Sequence, residues 1–346
     1  TSLMGTFAGV NQTHTASFNQ DISTKEVTVG LGTPLETTYN AWNVSNVTQF
    51  GWPLVSNADL YQYYGTFSHN THFNQPIGNW QINTGSEVSL RSMFNFSNFN
   101  QDISSSVQTV GSNTYTAWDT KKVITTRYLF YVNNAFNKPI GNWNLISASR
   151  LEGMFYNASN FNQDISASIQ TVGSETYNAW YLKSAENLIS MLREARAFNK
   201  DIGNWYVNNV SDFNSTFYNT DSYQHSLATQ SVSLNGVSYT SWDIGNASLS
   251  NTFYFSGFDG EGVNTWDVSN VTSFGAHFMN QSGLTTSNYD NILISWSSSL
   301  GINPNAISEI NFGSAQYTGT PGSAPSASHA FIENNLGIAL SDGGPA

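Results

Sequence analysis

The sequence predicts an α/β repeat solenoid, and three regularities carry that reading. A phrase F-N-[QK]-[DP]-I begins at Phe18 and returns at Phe73, Phe99, Phe136, Phe161 and Phe198, with weaker copies at Tyr223 and Phe258. Each copy is followed by one Trp, and the stretch from that Trp to the next Phe is nearly constant: 19 residues after Trp80, and 18 after Trp118, Trp143, Trp180 and Trp205. The stretch from Phe to Trp takes two lengths, 7 or 8 residues in the copies at Phe73, Phe136, Phe198 and Phe258, and 19 in those at Phe99, Phe161 and Tyr223. Self-similarity at such a period marks units too small to bury their own apolar faces, which must therefore stack on one another. A basic coil of about 25 residues thus holds an insert of about 12 residues in every second copy.

Taken in order along a coil, the run Ile77-Gly78-Asn79-Trp80, with its equivalents at Ile140 and Ile202, is long enough for one strand with Ile and Trp directed inward. A Ser/Asn-rich turn follows, then a stretch with helical spacing, such as Leu151, Met154 and Phe155, or Leu188, Met191, Leu192 and Ala195, capped by residues such as Ser184. The Asn after each Phe (Asn19, Asn74, Asn100, Asn137, Asn162 and Asn199) is expected to stack into a ladder whose amides satisfy buried turn backbone.

The inserts read as β-hairpins. Val107–Val110 and Thr114–Trp118 flank a Gly111-led turn, Ile169–Val172 and Thr176–Trp180 flank one led by Gly173, and a Tyr precedes the Trp by three residues at Tyr39, Tyr115, Tyr177 and Tyr239. A hairpin is two strands wide, and a coil rises by about one strand spacing, ~4.8 Å. One hairpin per two coils therefore predicts that the four inserts merge into a second continuous antiparallel sheet beside the solenoid.

The repeats occupy 1–283 as about eight units, the first an incomplete unit at 1–17, since Leu3–Ala8 aligns with Leu151–Ala158. Residues 284–346 form a C-terminal capping segment, whereas no polar cap is visible at the other end. An uncapped end invites an upstream domain or another copy of the chain, stacked end to end.

Composition points outside the cell. Only 10% of the 346 residues are charged, the net charge is −12, and cysteine is absent. Eleven basic residues scattered among 23 acidic ones exclude a nucleic-acid backbone as partner. No apolar run approaches the length of a membrane span, so no membrane insertion is expected. Chemical motifs are scarce: there is no G-x-S-x-G, H-E-x-x-H, Walker loop or dinucleotide fingerprint.

Candidate sites are correspondingly few. His69 and His72, three apart, could share a metal, but a solvated polar loop is the stronger reading. Asp21, Asp102, Asp164 and Asp201 recur in register, as a calcium row would, but Pro76 and Pro139 interrupt them, which favours turn capping. Asp259 and Glu261 make a second calcium candidate. No other cofactor is expected. The regular Trp residues fit core packing, whereas Trp52, Tyr61, Tyr63 and Tyr64 lie in an extra segment that the repeat does not require and form the candidate recognition patch. N-x-S/T sequons at Asn11, Asn43, Asn46, Asn95, Asn157, Asn209, Asn214, Asn246, Asn270 and Asn280 are candidate glycosylation sites.

FNQDIS, FNKPIGNW, WNVSNVT at Trp42–Thr48, WDVSNVT at Trp266–Thr272 and MFYNAS at Met154–Ser159 resemble the BspA-like leucine-rich-repeat surface proteins, a class also described as a mycoplasma-lipoprotein-type domain of unknown function. The likeness covers roughly residues 1–284, and Leu284–Trp296 resembles the segment that closes such arrays ahead of a helix and a final strand. It implies leucine-rich-repeat-like coils at a cell or particle surface, often linked to adhesion, and no enzymatic activity. The regular hairpin insert departs from the family pattern. Two functions follow: a non-enzymatic extracellular scaffold that self-associates as the structural subunit of a surface fibre or layer, or an adhesin that binds a receptor, a host or matrix protein or a glycan from a cell or virus surface.

Overall fold

A computed structural model describes residues 2–3, 5–9, 16–50, 65–82, 85–301 and 307–346. Its strands are short: β1 (Lys25–Val29), β2 (Thr37–Ala41), β3 (Val88–Ser89), β4 (Ser106–Val110), β5 (Asn113–Ala117), β6 (Val123–Thr125), β7 (Ser168–Val172), β8 (Glu175–Ala179), β9 (Gln230–Leu234), β10 (Val237–Ser241), β11 (Glu309–Asn311) and β12 (Ala339–Ser341).

Successive repeats are joined by a column of parallel pairings. Ser2 pairs with Gln49, Gln49 with Ser89, Thr125 with Arg150, Arg150 with Asn187, Asp212 with Ser248, and Ser248 with Ser273, while β3 pairs with β6. This column lies some eight residues beyond the Ile-Gly-Asn-Trp run. The strand expected at that run does not form; it is a turn, closed by Trp80 N–H donating to the Ile77 carbonyl at 3.0 Å and by the equivalent bond from Trp143 to Ile140 at 3.1 Å. The expected inward direction is present, with Ile77, Trp80, Ile140 and Trp143 fully buried.

The segments with helical spacing are chains of turns, not helices. From Leu151 onward, Met154, Tyr156 and Ala158 donate to the carbonyls three residues back, whereas Gly153, Phe155 and Asn157 donate to Ile189, Met191 and Arg193 of the following coil. Every second N–H thus points along the stack. This alternation requires a left-handed residue at every fourth position, and φ is positive at Gly153 and Asn157, Ser92 and Phe96, and Ser190 and Glu194. An α-helix cannot accommodate such residues. The turn chain nevertheless sends positions i, i+3 and i+4 inward, which is why its apolar spacing imitates a helix.

The hairpins form as expected, β1 with β2, β4 with β5, β7 with β8 and β9 with β10, each antiparallel over five residue pairs. The second continuous sheet does not form: each hairpin is a separate two-stranded sheet. Neighbouring hairpins meet through side chains instead. Lys121, just after β5, pairs with Glu175 on β8, and the Asn178 amide donates to the Leu234 carbonyl at 3.1 Å. Three of the four hairpins also lie with one face on the stack, where the hydroxyls of Tyr115, Tyr177 and Tyr239 donate to the carbonyls of Asn79, Asn142 and Asn204 at 2.5–2.7 Å, whereas Tyr39 of the first hairpin is 49% exposed. The hairpin tips also approach their neighbours without forming a ladder: a Cβ at Gly111 would overlap Oε2 of Glu26 on β1, and one at Gly173 would lie 3.0 Å from Cγ2 of Val107 on β4.

Two aromatic ladders fill the core. The rings of Phe73, Phe99, Phe136, Phe161 and Phe198 stack on their successors with centroids 6.0–6.5 Å apart. Phe67, Phe94, Phe130 and Phe155 form a second column beside them. The buried Trp residues complete the core, and each indole is satisfied in the same way: Nε1 of Trp80, Trp118, Trp143, Trp180, Trp205 and Trp242 donates to the carbonyl of Ile22, Ile77, Ile103, Ile140, Ile165 and Ile202 at 2.7–2.9 Å.

The Asn ladder exists, but at the surface. The Asn74, Asn137 and Asn199 side chains are exposed, and it is the side-chain oxygen that works, accepting the backbone N–H of the Asn one coil on at 2.8–3.2 Å. A second Asn set, which sequence reading missed, does the deeper work. Asn142 both accepts from and donates to the Ser105 backbone (3.0 and 2.8 Å), and Asn204 does the same with Ala167 (3.0 and 2.7 Å).

Beyond the last repeat stand α1 (Thr286–Leu300), capped by Thr285, and α2 (Ala324–Asn334), capped by Ser323. Helix α1 occupies the segment that the resemblance placed ahead of the helix. Trp296 on α1 donates to the Val263 carbonyl at 3.2 Å, continuing the indole pattern of the repeats. Strand β11 joins the stack through Met279 N–H to the Asn311 carbonyl and pairs in parallel with β12. Tyr289 and His329 both contact Asp342 Oδ2, at 2.5 and 2.9 Å, tying the two helices to the chain end.

Candidate functional site

One or two residues beyond the inward-facing Phe67, Phe94, Phe130, Phe155, Phe217 and Phe253 of the turn chain, the repeats place a row of aromatic rings that are partly exposed except for the buried His69. His69 stacks on Phe96 at 4.6 Å, Phe96 meets Tyr131 edge-on at 5.2 Å, and Tyr131 stacks on Tyr156 at 4.6 Å. The Arg193 guanidinium lies over the rings of both Tyr156 and Tyr218, at 5.0 and 4.2 Å. Tyr218 meets Tyr254 at 5.2 Å, and Tyr254 stacks on His277 at 4.5 Å. Arg127 adds a further cation–π contact with Tyr128 at 4.8 Å. Phe255, on the same row, is 39% exposed. Burial raises the Tyr156 phenol above its ordinary pKa and lowers the His69 imidazole. The stripe crosses coil after coil and unites rings, hydroxyls and guanidinium groups, the side chains that dominate recognition interfaces.

A trough runs along another flank, beneath the hairpin roots. One section, of about 370 Å³, is lined by Ser23, Pro76, Gly78, Asn79, Gln101 and Asp102. The next, of about 350 Å³, is lined by the equivalent Ser104, Pro139, Gly141, Asn142, Gln163 and Asp164 together with Ser166, Ser168 and Gln170. A third, of about 240 Å³, contains Asp164, Ser166, Lys200, Asp201, Asn204 and Gln230. Gly78 and Gly141 are glycine because the coils approach so closely there: a Cβ would lie 2.6 and 2.7 Å from the carbonyl oxygens of Asp102 and Asp164.

The four register aspartates cap turns. Oδ1 of Asp21, Asp102, Asp164 and Asp201 accepts the N–H of Ser23, Ser104, Ser166 and Gly203 at 2.8–2.9 Å. Hydrogen bonds from Ser23, followed by the contact with Lys25, pull the Asp21 carboxyl down to about 2. Asp259 likewise accepts from Glu261 N–H at 3.0 Å, and its carbonyl accepts from Asn288 on α1. His69 contacts Ser68 and His72 contacts the Ala16 carbonyl, so the two rings are held by different neighbours. Among the described residues no group of three or more metal-ligating side chains comes together.

Trp52, Tyr61, Tyr63, Tyr64 and the sequon residue Asn11 lie outside the described residues. Asn43, Asn46, Asn209, Asn246 and Asn270 are exposed, while Asn157, Asn214 and Asn280 are half-buried. Asn95 is a correction to the candidate glycosylation sites: its side chain is fully buried between coils, where a glycan has no room.

The family described as "Mycoplasma protein of unknown function, DUF285" matches the chain over residues 32–117, 104–230, 169–248 and 228–299. The chain belongs to this family. No curated protein and no solved structure matches it. The four overlapping DUF285 matches take in the last three hairpins, the aromatic stripe and the trough apart from Ser23.

Proposed function

We propose that the repeats form one leucine-rich-repeat-like solenoid displayed outside the cell or on a particle surface, and that it works as a non-enzymatic adhesin. The observation that carries this reading is the tyrosine–arginine stripe from Phe96 through Tyr131, Tyr156, Arg193 and Tyr218 to Tyr254. Repeat packing requires only inward side chains, so an unbroken outward row of this composition supports a role in contact with a matrix or receptor protein. The test is binding to arrayed extracellular-matrix proteins and cell-surface glycoproteins, comparing the wild-type chain with a Tyr156→Ser/Arg193→Ser/Tyr218→Ser variant. Retention that disappears in the variant supports the reading. Retention that survives it, or none on any protein, overturns it.

A second reading, a self-associating subunit of a fibre or layer, is favoured by the hairpins. Their outer faces expose Val107 (48%) and Ile169 (50%), and among the described residues their outer strand edges carry no ladder partner. Unpaired edges of this kind template association between copies. Sedimentation at rising concentration tests it: a chain that stays monomeric removes this reading, and a Val107→Lys/Ile169→Lys variant should dissociate any assembly that forms.

A further inference from the structure

We propose that the chain docks end to end on a second copy of itself, with the tip of the first hairpin seated between the two capping helices of its neighbour. The tip is where this hairpin departs from the others. Residues 111–112, 173–174 and 235–236 close the last three hairpins in two residues, all polar or glycine, whereas residues 30–36 close the first in seven. Pairing of the strands requires only the short form. The longer tip is ordered by its own polar groups: Thr33 N–H donates to the Gly30 carbonyl at 2.9 Å, Leu35 N–H to Thr33 Oγ1 at 3.2 Å, and Gly32 N–H to Oε2 of Glu36 at 2.8 Å. This arrangement leaves Leu31 78% and Leu35 82% exposed, the most exposed large apolar side chains among the described residues. Two leucines on a knob that is already shaped lose little freedom on docking and gain by leaving water.

Exposed apolar surface gathers at the two ends of the stack. Of the eleven large apolar side chains exposed on the described residues, Val29, Leu31, Leu35, Tyr39 and Trp42 belong to the first hairpin and its root, and Ile294 and Phe331 to α1 and α2. Phe331 lines a groove of about 330 Å³ between the helices with Ser297, Ser298, Ala327 and Ser328, none of them charged. Ile294 lies one turn before Ser297 and Ser298, on the same face of α1. No charge has to be stripped of water for leucines to enter.

The root of the hairpin argues that the occupant is a copy of this chain. In a later hairpin coil Tyr115 donates to the Asn79 carbonyl and Trp118 to the Ile77 carbonyl, both on the coil before it. Tyr39 and Trp42 hold the same two positions and are exposed. At the far end Trp296 on α1 donates to the Val263 carbonyl as Trp266 donates to that of Leu227, so α1 stands in the indole register of the repeats. A copy placed along the stack axis therefore continues the row of hairpins, its first hairpin beside the helix pair of the copy before it. Such a contact is heterologous and does not close, so it propagates as a filament.

The inference rests on the self-association reading and locates its contact, and the test separates the two. The full chain is followed by sedimentation velocity at rising concentration, where a ladder of dimer, trimer and longer species is expected. Leu31→Lys/Leu35→Lys removes the knob and Ile294→Lys/Phe331→Lys the groove; all four side chains are exposed, so the circular dichroism spectrum and urea midpoint should stay as in wild type. Each variant alone should stay monomeric at concentrations at least about tenfold above those at which wild type associates. Mixed, the two should form a one-to-one dimer and nothing larger, since one supplies the intact groove and the other the intact knob. A wild-type chain that stays monomeric overturns the proposal, as does a mixture that gives no dimer. Association retained by the knob variant, whose leucines lie largely in solvent, overturns it as well. If Val107→Lys/Ile169→Lys abolishes that retained association, self-association through the hairpin edges stands while the end-to-end contact falls.

Discussion

Replacing Trp143 by Phe tests the central packing claim, that each indole is both a core block and a staple between coils. Trp143 is fully buried, its ring stacks on Trp118 at 6.0 Å with planes 2° apart, and its Nε1 donates to the Ile103 carbonyl at 2.9 Å. Phe cannot donate, which leaves the Ile103 carbonyl buried and unpaired at a cost of about 1–3 kcal/mol. The smaller ring also leaves a void and loosens the stack, adding about 1 kcal/mol. The expected loss is therefore about 2–4 kcal/mol. It should appear as a lower urea midpoint by far-ultraviolet circular dichroism. Trp42, 40% exposed, provides an internal comparison, and Trp42→Phe should cost less than about 0.5 kcal/mol. Equal midpoints for Trp143→Phe and wild type would refute the staple, as would equal losses at the two positions.

Gly141→Ala places a Cβ 2.7 Å from the Asp164 carbonyl oxygen and should destabilise by about 1–3 kcal/mol in the same urea assay. Tyr177 and Tyr239 are pushed up to about 12 by burial beneath the hairpins. The unfolded chain ionises its tyrosines near pH ~10, so this stabilisation is fully present below about pH 10 and is lost as pH rises through about 12. Tyrosinate absorbance should accordingly show a late fraction that titrates together with loss of the hairpin signal. Arg150 holds the buried Glu152 at 3.1 Å, and Arg150→Met should lower stability by about 2 kcal/mol, discounted for the partial exposure of the arginine. Adding Glu152→Gln should recover part of that loss in a double-mutant cycle.

Side-chain direction was more legible in the sequence than backbone conformation. The Phe–Trp spacing located every hairpin, since Gly111 and Gly173 each open a tight turn between two β-prone runs, and it placed Ile and Trp inward. It could not tell turn chain from helix, because Leu151, Met154 and Phe155 lie inward in both; only the left-handed backbone at Gly153 and Asn157 separates them, and a Gly and an Asn four apart are a faint signal. The second sheet failed for a related reason. Spacing gave the hairpins the right density to pair but not their orientation, which Tyr115, Tyr177 and Tyr239 fix by reaching down to the preceding coil. The trough was half visible: its aspartates appeared as turn caps, but that Asn79 and Asn142 share a wall with Gln101 and Gln163 depends on how coils superpose.

The same physics explains why recognition surfaces on this chain are hard to read from sequence. The stack is satisfied from within, by indoles on carbonyls, Asn side chains on backbone and rings on rings, and each of these demands one residue type at one register position. Outward positions carry no such demand. At the place just after the inward Phe or Leu, the chain holds Tyr131 in one coil, Tyr156 in the next, then Arg193 and Tyr218, so no repeating motif marks the stripe, although its members touch in space. In the trough the opposite holds: Gly78 and Gly141, Asn79 and Asn142, and Gln101 and Gln163 recur because they also serve the architecture. A partner of the stripe should therefore be specific to this order of side chains. Exchanging two internal coil pairs should destroy binding at the stripe while leaving the urea midpoint of the fold nearly unchanged.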